Sequence, residues 1–354
     1  MKLISLCMIV RNEEKFLEQC LKSVAGLVDE IVIVDTGSTD STKAIALKYT
    51  DKVYDFPWCN DFSAARNYSV SKANCEYILV LDGDEKLEEI DRNQLEMLLS
   101  NHSNEVGRVL LINRYTRNNH EYKSHERIGR LFSKKYYRYE GKIHEQITWC
   151  EKTIQKVENI KYYNLPLVVE HLGYEGDLAK RKEKTRRNIQ LLESENRQQP
   201  GDPYLLYQLG KSFYMEEDYK KACEYFEKVL SIDLKLDLEY VWDLVESYGY
   251  SLLNTEQYTK ALQLWNIYDE FSSSADFVFL MGLIFMNNGK FQEAIGEFEK
   301  AAGMPDCKVE GVNGYLAHYN IAVIYECLGY HEEAFLYYKK CGDYPPAIQK
   351  LQQH

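Results

Sequence analysis

No stretch of the 354 residues approaches the roughly 20 consecutive apolar side chains that a membrane-spanning helix requires. The apolar segment near the N-terminus, in MKLISLCMIVRNEE, meets Arg11 too soon to form the core of a secretory signal, and no cleavage pattern follows it. These absences predict a soluble, cytoplasmic protein without a membrane span. Positive charge is not in excess either: 43 Lys and Arg stand against 55 Asp and Glu, a net charge of -12, which repels a polyanion and argues against a nucleic-acid partner. The nine cysteines are scattered, and none has C-x-x-C spacing, so neither a disulfide framework nor a structural zinc site is expected. Tyrosine is abundant by contrast. There are 29, most of them in the second half, where such side chains can pack a core or line a groove for a peptide.

The length exceeds one typical hydrophobic core and implies two domains. Early in the chain, two kinds of segment alternate. Leu3 to Val10 reads as a buried strand, and Glu13 to Ala25, with Phe16, Leu17, Cys20, Leu21 and Val24 at helical spacing, as an amphipathic helix. Strands follow at Glu30 to Val34, at Asp51 to Tyr54 and at Tyr77 to Leu81, with helices predicted over Thr39 to Tyr49 and 61–74. This order predicts an α/β domain, a mostly parallel sheet between helices, over residues 1–176. Within it, 106–112 and 128–132 read as further strands. Residues 178–199 form a long charged helix that Pro200-Gly201-Asp202-Pro203 breaks, so 177–200 is read as a link to a second domain at 201–354.

That second domain repeats itself. Leu209-Gly210 precedes Phe213, Ala222 and Phe226; Tyr248-Gly249 precedes Leu252, Ala261 and Trp265; Met281-Gly282 precedes Phe285, Ala294 and Phe298; Ile321-Ala322 precedes Tyr325, Ala334 and Tyr338. The alanines lie 39, 33 and 40 residues apart, near the period of about 34 that marks tetratricopeptide repeats. Small residues are needed where paired helices cross closely, and large ones where they fill the space between. An all-α repeat domain of this kind exposes a concave face suited to a peptide or to a second copy of the chain.

Ligands of open α/β sheets bind beyond the carboxyl ends of the strands, and the functional-looking clusters lie there. Arg11-Asn12-Glu13-Glu14 follows the first strand and Asp35-Thr36-Gly37-Ser38 the second; ILVLDGDE at 78–85 ends a buried strand in Asp82, Gly83, Asp84 and Glu85. The D-x-D carboxylates repel one another unless a cation offsets them, and oxygen ligands favour Mg²⁺ or Mn²⁺. Gly83 is read as permitting a tight turn. No Gly- and Lys-rich loop follows the first strand, which argues against a nucleotidyltransferase.

CMIVRNEE, IVIVDTGSTDST, FSAARNYS and LVLDGDE, in this order and spacing, resemble the family 2 glycosyltransferases of the GT-A fold, over roughly residues 1–175. The resemblance implies a UDP-sugar donor, a UDP-hexose in the first instance, and a divalent cation. It implies that Val10, Arg11, Asn12, Glu13 and Asp35, with Ser38 assisting, hold the nucleoside. A carboxylate can accept uracil's N3-H. Arg66 becomes a partner of phosphate or of Asp82. Asp84 becomes the surest metal ligand, joined by Asp82 and, from Glu170-His171-Leu172, by His171. Arg130-Leu131-Phe132 and Gly141-Lys142-Ile143-His144-Glu145 resemble a subgroup of the family; there the proton-accepting base of an inverting transfer is Glu145, with His144 second. The basic run Lys180, Arg181, Lys182, Lys184, Arg186 and Arg187 offers either a diphosphate contact or a solvated helix face.

Together with the repeats, the chain resembles bacterial enzymes that glycosylate Cys or Ser of ribosomally made peptides, such as glycosylated bacteriocins. A peptide acceptor, and a homodimer paired through the repeats, follow as expectations. Two rivals stand beside this reading: a glucosyltransferase of lipopolysaccharide-core or surface-polysaccharide assembly, and a non-catalytic tetratricopeptide scaffold.

Overall fold

The computed structural model of the chain describes residues 3–88, 92–117, 120–150, 159–172 and 178–353, and the chain divides into two compact units, Met1–Leu178 and Ala179–His354. In the first unit, β1 (Ile4–Val10), α1 (Leu17–Val24), β2 (Glu30–Asp35), α2 (Thr42–Ala46), β3 (Val53–Asp55), α3 (Phe62–Lys72) and β4 (Tyr77–Val80) follow the alternation read from the sequence. There follow β5 (Glu85–Leu87), α4 (Arg92–Asn101), β6 (Val106–Arg117), β7 (His120–Ser133), β8 (Tyr137–Glu140), β9 (Gln146–Trp149) and β10 (Tyr162–His171). Among the described residues eight strands form one sheet in the order β3-β2-β1-β4-β7-β6-β10-β5, and β8 pairs with β9 beside it. Strands β3, β2, β1 and β4 run parallel, as do β6 and β10; β7 runs against both β4 and β6.

The pleat of β1 explains the two-sided core. Ile4, Leu6, Met8 and Val10 enter one apolar cluster with Leu17, Leu21 and Leu79, while Cys7 enters the other with Val32, Ile78, Val80 and Phe132. Two helices are shorter than their periodicity predicts. The α1 helix begins only at Leu17 because Asn12 adopts a left-handed backbone (φ 57°) and the N–H groups of residues 12–14 are spent on the neighbouring loop. Likewise Thr39 donates its N–H to Asn12 Oδ1, so α2 starts at Thr42, whose N–H goes to Asp40 Oδ1 at 2.9 Å. The strands read at 106–112 and 128–132 are the cores of longer ones, joined as an antiparallel pair.

The second unit opens with the charged helix α5 (Leu178–Gln198). Its Leu192 is fully buried and Ile189 packs on the helical core. Four helix pairs follow. These are α6 (Pro203–Met215) with α7 (Tyr219–Leu230); α8 (Glu239–Asn254) with α9 (Tyr258–Ala261), a 3₁₀ turn at Leu262–Ile267 and α10 (Tyr268–Phe271); α11 (Ala275–Asn287) with α12 (Phe291–Ala302); and α13 (Tyr315–Leu328) with α14 (His331–Lys340). Helix α15 (Pro345–Leu351) closes the array. The small residues sit where expected: a Cβ on Gly210 would lie 2.5 Å from the Phe226 ring. One filler differs. Trp265 is 47 % exposed and Leu264 packs against Gly249 instead, because the 3₁₀ turn brings a residue three positions, not four, after Ala261 onto the inner face.

Candidate functional site

Three neighbouring parallel strands, β2, β1 and β4, end at one edge of the sheet and deliver the three clusters together. The first two loops are laced. Asn12 N–H donates to Ser38 Oγ at 3.0 Å, Glu13 N–H to Thr42 Oγ1 at 2.7 Å, and Thr36 donates from both its N–H and its hydroxyl to the Val10 carbonyl. Asp35 is almost fully buried. Its Oδ1 accepts from the N–H groups of Gly37 and Ser38, both at 2.8 Å, while Oδ2 is buried with no hydrogen-bond donor among the described residues. A buried acceptor left unmade costs free energy that a ligand's N–H recovers. Val10 is buried at the end of β1, and Arg11 is exposed on the loop.

Gly83 does not have a left-handed backbone; its lack of a side chain serves close approach. A Cβ there would lie 2.9 Å from Cγ of Glu13, so the D-x-D turn rests on the stem of the first loop's Glu13. On either side of Gly83 the carboxylates part company. Asp82 Oδ1 accepts from Arg66 Nη2 at 2.9 Å and Oδ2 from Arg130 Nη2 at 3.1 Å, and Arg130 also reaches Glu85 Oε1 at 2.5 Å. Strand β7 pairs Leu131 with Leu79 of β4, which brings Arg130 beside Asp82. Burial opposes ionisation of Asp82, but the two guanidiniums outweigh it and hold its carboxyl far below the usual range. Glu85, buried and facing Asp82 and Asp84, is pushed up to about 7 despite Arg130; its Oε2 accepts the Asp82 N–H at 2.9 Å.

Asp84 faces elsewhere. Antiparallel pairing of β5 with β10 sets His171 opposite Glu85, and His171 Nε2 lies 3.1 Å from Asp84 Oδ2. On the far side of the ring, Nδ1 lies 3.1 Å from Asn113 Oδ1 of β6. If Nδ1–H donates to Asn113, Nε2 turns its lone pair toward a carboxylate oxygen, a juxtaposition that calls for a shared proton or a cation. One carboxylate and one imidazole form a donor set that would suit Mn²⁺. Among the described residues no cluster of three metal-capable side chains occurs. Asp84 and His171 are thus the pair that could hold a cation, and Asp82 is committed to arginines.

Helix α3 supplies Arg66. Asp61 caps the helix by accepting from Ala64 N–H at 2.8 Å, and Arg66 lies buried on its inner side. Arg66 Nε donates to Glu145 Oε1, so one guanidinium joins Asp82 to Glu145. His144, strained at φ 50°, has Nε2 buried without a partner among the described residues, and burial lowers its pKa against the pull of Glu145. The residues that sequence reasoning left aside are Arg130, noticed only within Arg130-Leu131-Phe132, Glu85 and Asn113. The side chains of Lys180, Arg181, Lys182 and Lys184 lie outside the described residues.

The family models agree with this architecture. The family model "Glycosyl transferase family 2" matches residues 5–163, and tetratricopeptide-repeat models match 203–235 and 315–347. A TPR repeat-containing protein of Synechococcus elongatus is 32% identical over 64% of this chain and 56% of its own length. The SPbeta prophage-derived glycosyltransferase SunS of Bacillus subtilis is 30% identical over 63% of this chain and 52% of its own length. The chain thus spans about half the length of these curated relatives. Among solved structures, the TPR protein YrrB is 22% identical, with a TM-score of 0.41 over 49% of this chain and 87% of that one. No helix among the described residues is long and apolar enough to cross a membrane. The chain carries a glycosyl transferase family 2 domain, followed by tetratricopeptide repeats.

Proposed function

We propose that the chain is an inverting glycosyltransferase that moves a hexose from a UDP-sugar to a Cys or Ser side chain of a ribosomally made peptide. The observation that carries the reading is the buried, partnerless Oδ2 of Asp35, on the sheet edge that also presents Asp84 and Asp82. A uracil N3-H satisfies that oxygen, and the loop of Val10, Arg11, Asn12 and Glu13, with Ser38, borders the ribose. Asp84 and His171 would hold a Mg²⁺ or Mn²⁺ ion, which would supply positive charge to the leaving diphosphate. Glu145 takes the proton from the acceptor thiol or hydroxyl as its sulfur or oxygen bonds to the anomeric carbon and UDP departs with the old bond's electrons. His144 is the weaker candidate, since its Nε2 is buried. The repeats provide the surface for a peptide acceptor, and a pairing of two chains through them belongs to the same reading.

The experiment is a screen of UDP-sugars with Mn²⁺, read as UDP release and as mass added to Cys- or Ser-containing peptides. Loss of turnover in Asp84→Asn is expected. Equal turnover in wild type and Asp84→Asn removes Asp84 from the mechanism, and transfer to saccharide or lipid acceptors with none to peptides favours polysaccharide assembly. No release from any sugar nucleotide favours a scaffold.

A further inference from the structure

We infer that Arg66 is a positioning residue that holds the proton-accepting Glu145 in register with Asp82, so that one guanidinium sets the acceptor side of the site against the donor side. The inference rests on the glycosyl-transfer reading above. Arg66 uses two arms of its fork for two carboxylates distant in sequence, Nε for Glu145 Oε1 and Nη2 for Asp82 Oδ1. A fork spent in this way fixes both distance and orientation, which a lysine cannot do.

The surroundings hold the fork still. The guanidinium lies over the Tyr139 ring at 5.6 Å, and its side chain is only 10 % exposed. Next to it, Asn67 donates to the Tyr139 carbonyl at 2.8 Å and accepts the Tyr139 N–H at 2.9 Å, pinning α3 to β8. Phe62 N–H, at the start of α3, donates to the Lys142 carbonyl at 2.8 Å. Helix α3 and the segment that carries Glu145 are therefore tied at three places. Arg66 holds only Oε1 of Glu145; Oε2 takes no hydrogen bond among the described residues and is the oxygen left for the acceptor's proton. The remaining arm of Arg66, Nη1, is buried and has no hydrogen-bond partner among the described residues, so the experiment below separates positioning from a phosphate contact.

The test compares Arg66→Lys, Glu145→Gln and the double variant in the full chain with Mn²⁺, measuring kcat for transfer, UDP affinity by calorimetry and thermal unfolding. Each single change is expected to lower kcat about 100-fold, with UDP affinity within about twofold of wild type, and the double variant to be no slower than the slower single. Losses that multiply in the double variant overturn the inference. So does an Arg66→Lys whose only defect is weak UDP binding, which marks a phosphate contact. If Arg66→Lys does not fold, Asn67→Ala replaces it: a fall in kcat with Glu145 present and none in the Glu145→Gln background is the expected result, and an equal fall in both backgrounds refutes it. A wild-type chain that releases no UDP from any sugar nucleotide overturns the transfer reading and this inference with it; an active wild type with multiplying losses overturns the inference alone.

Discussion

Replacing glycine by alanine in two adjacent helices of one repeat should shift stability in opposite directions. Gly282 lies in the middle of α11 and Gly296 in the middle of α12, and neither has a left-handed backbone, so alanine adopts both conformations without strain. On propensity alone each substitution gains roughly 1 kcal/mol. Around Gly296 nothing lies within 4 Å of an added Cβ, so the gain stands. At Gly282 the new Cβ would sit 2.7 and 2.8 Å from two carbons of the Phe298 ring. That ring is fully buried and packs on Phe279 with 5.2 Å between centroids, so it cannot retreat and the two helices must separate. Overpacking of this kind costs about 1–3 kcal/mol, and a contact with two immobile ring atoms belongs toward the upper end. The expected net is a loss of about 1–2 kcal/mol for Gly282→Ala against a gain of about 0.5–1 kcal/mol for Gly296→Ala. For a unit of this size each kcal/mol moves the midpoint by roughly 2–4 °C, so the two variants should separate by several degrees in thermal unfolding followed by circular dichroism. Finding Gly282→Ala as stable as Gly296→Ala, or more so, would refute the close-crossing account of the repeat.

Three further outcomes are expected. Gly83→Ala pushes the stem of Glu13 and with it the first loop; strain of roughly 1 kcal/mol lowers UDP affinity about fivefold, and calorimetry that finds no change separates the two loops. Asn113→Ala releases the His171 ring and should weaken Mn²⁺ binding about 10–100-fold, measured by titration of free Mn²⁺ with paramagnetic resonance; an unchanged affinity removes Asn113 from the site. Burial raises the Glu30 carboxyl, but hydrogen bonds from Lys52, Ser5 and Asn74 outweigh that and hold it at about 2 against an ordinary 4.5. Because the folded pKa is the lower one, this stabilisation is complete above pH 4.5 and is lost as pH falls toward 2. Glu30→Gln should therefore lower stability at neutral pH and flatten its decline with acid; urea unfolding with the same acid slope in both proteins counts against it.

Much of the candidate site was visible in the chain because its parts are local. A strand buried on both faces must be apolar, so Ile78 to Leu81 announced both β4 and the strand end on which Asp82 and Asp84 sit. The repeats were visible for the same reason: a small residue at each helix crossing and an aromatic opposite it are local demands, met at Gly210 with Phe226 and at Gly282 with Phe298. The exception shows the limit. Whether Leu264 or Trp265 faces inward depends on a 3₁₀ turn, a difference between three and four residues per turn that a spacing cannot disclose.

The sequence by itself determined an α/β domain with charged strand ends, a repeat array, and the residue types available for binding a nucleotide and a cation. The family resemblance already set Asp84 apart as the surest metal ligand and offered Arg66 to Asp82. Only the tertiary structure decided which contacts form: β7 adds Arg130 and α3 brings Arg66 onto Asp82, while β10 brings His171 onto Asp84. Each of these partners is distant in sequence, and each arrives through strand register or helix packing. Glu145 is tied to Arg66 in the same way, through α3 and β8. Charge pairing acts over a few ångströms in space, and sequence separation carries no information about that distance until the sheet has closed around it.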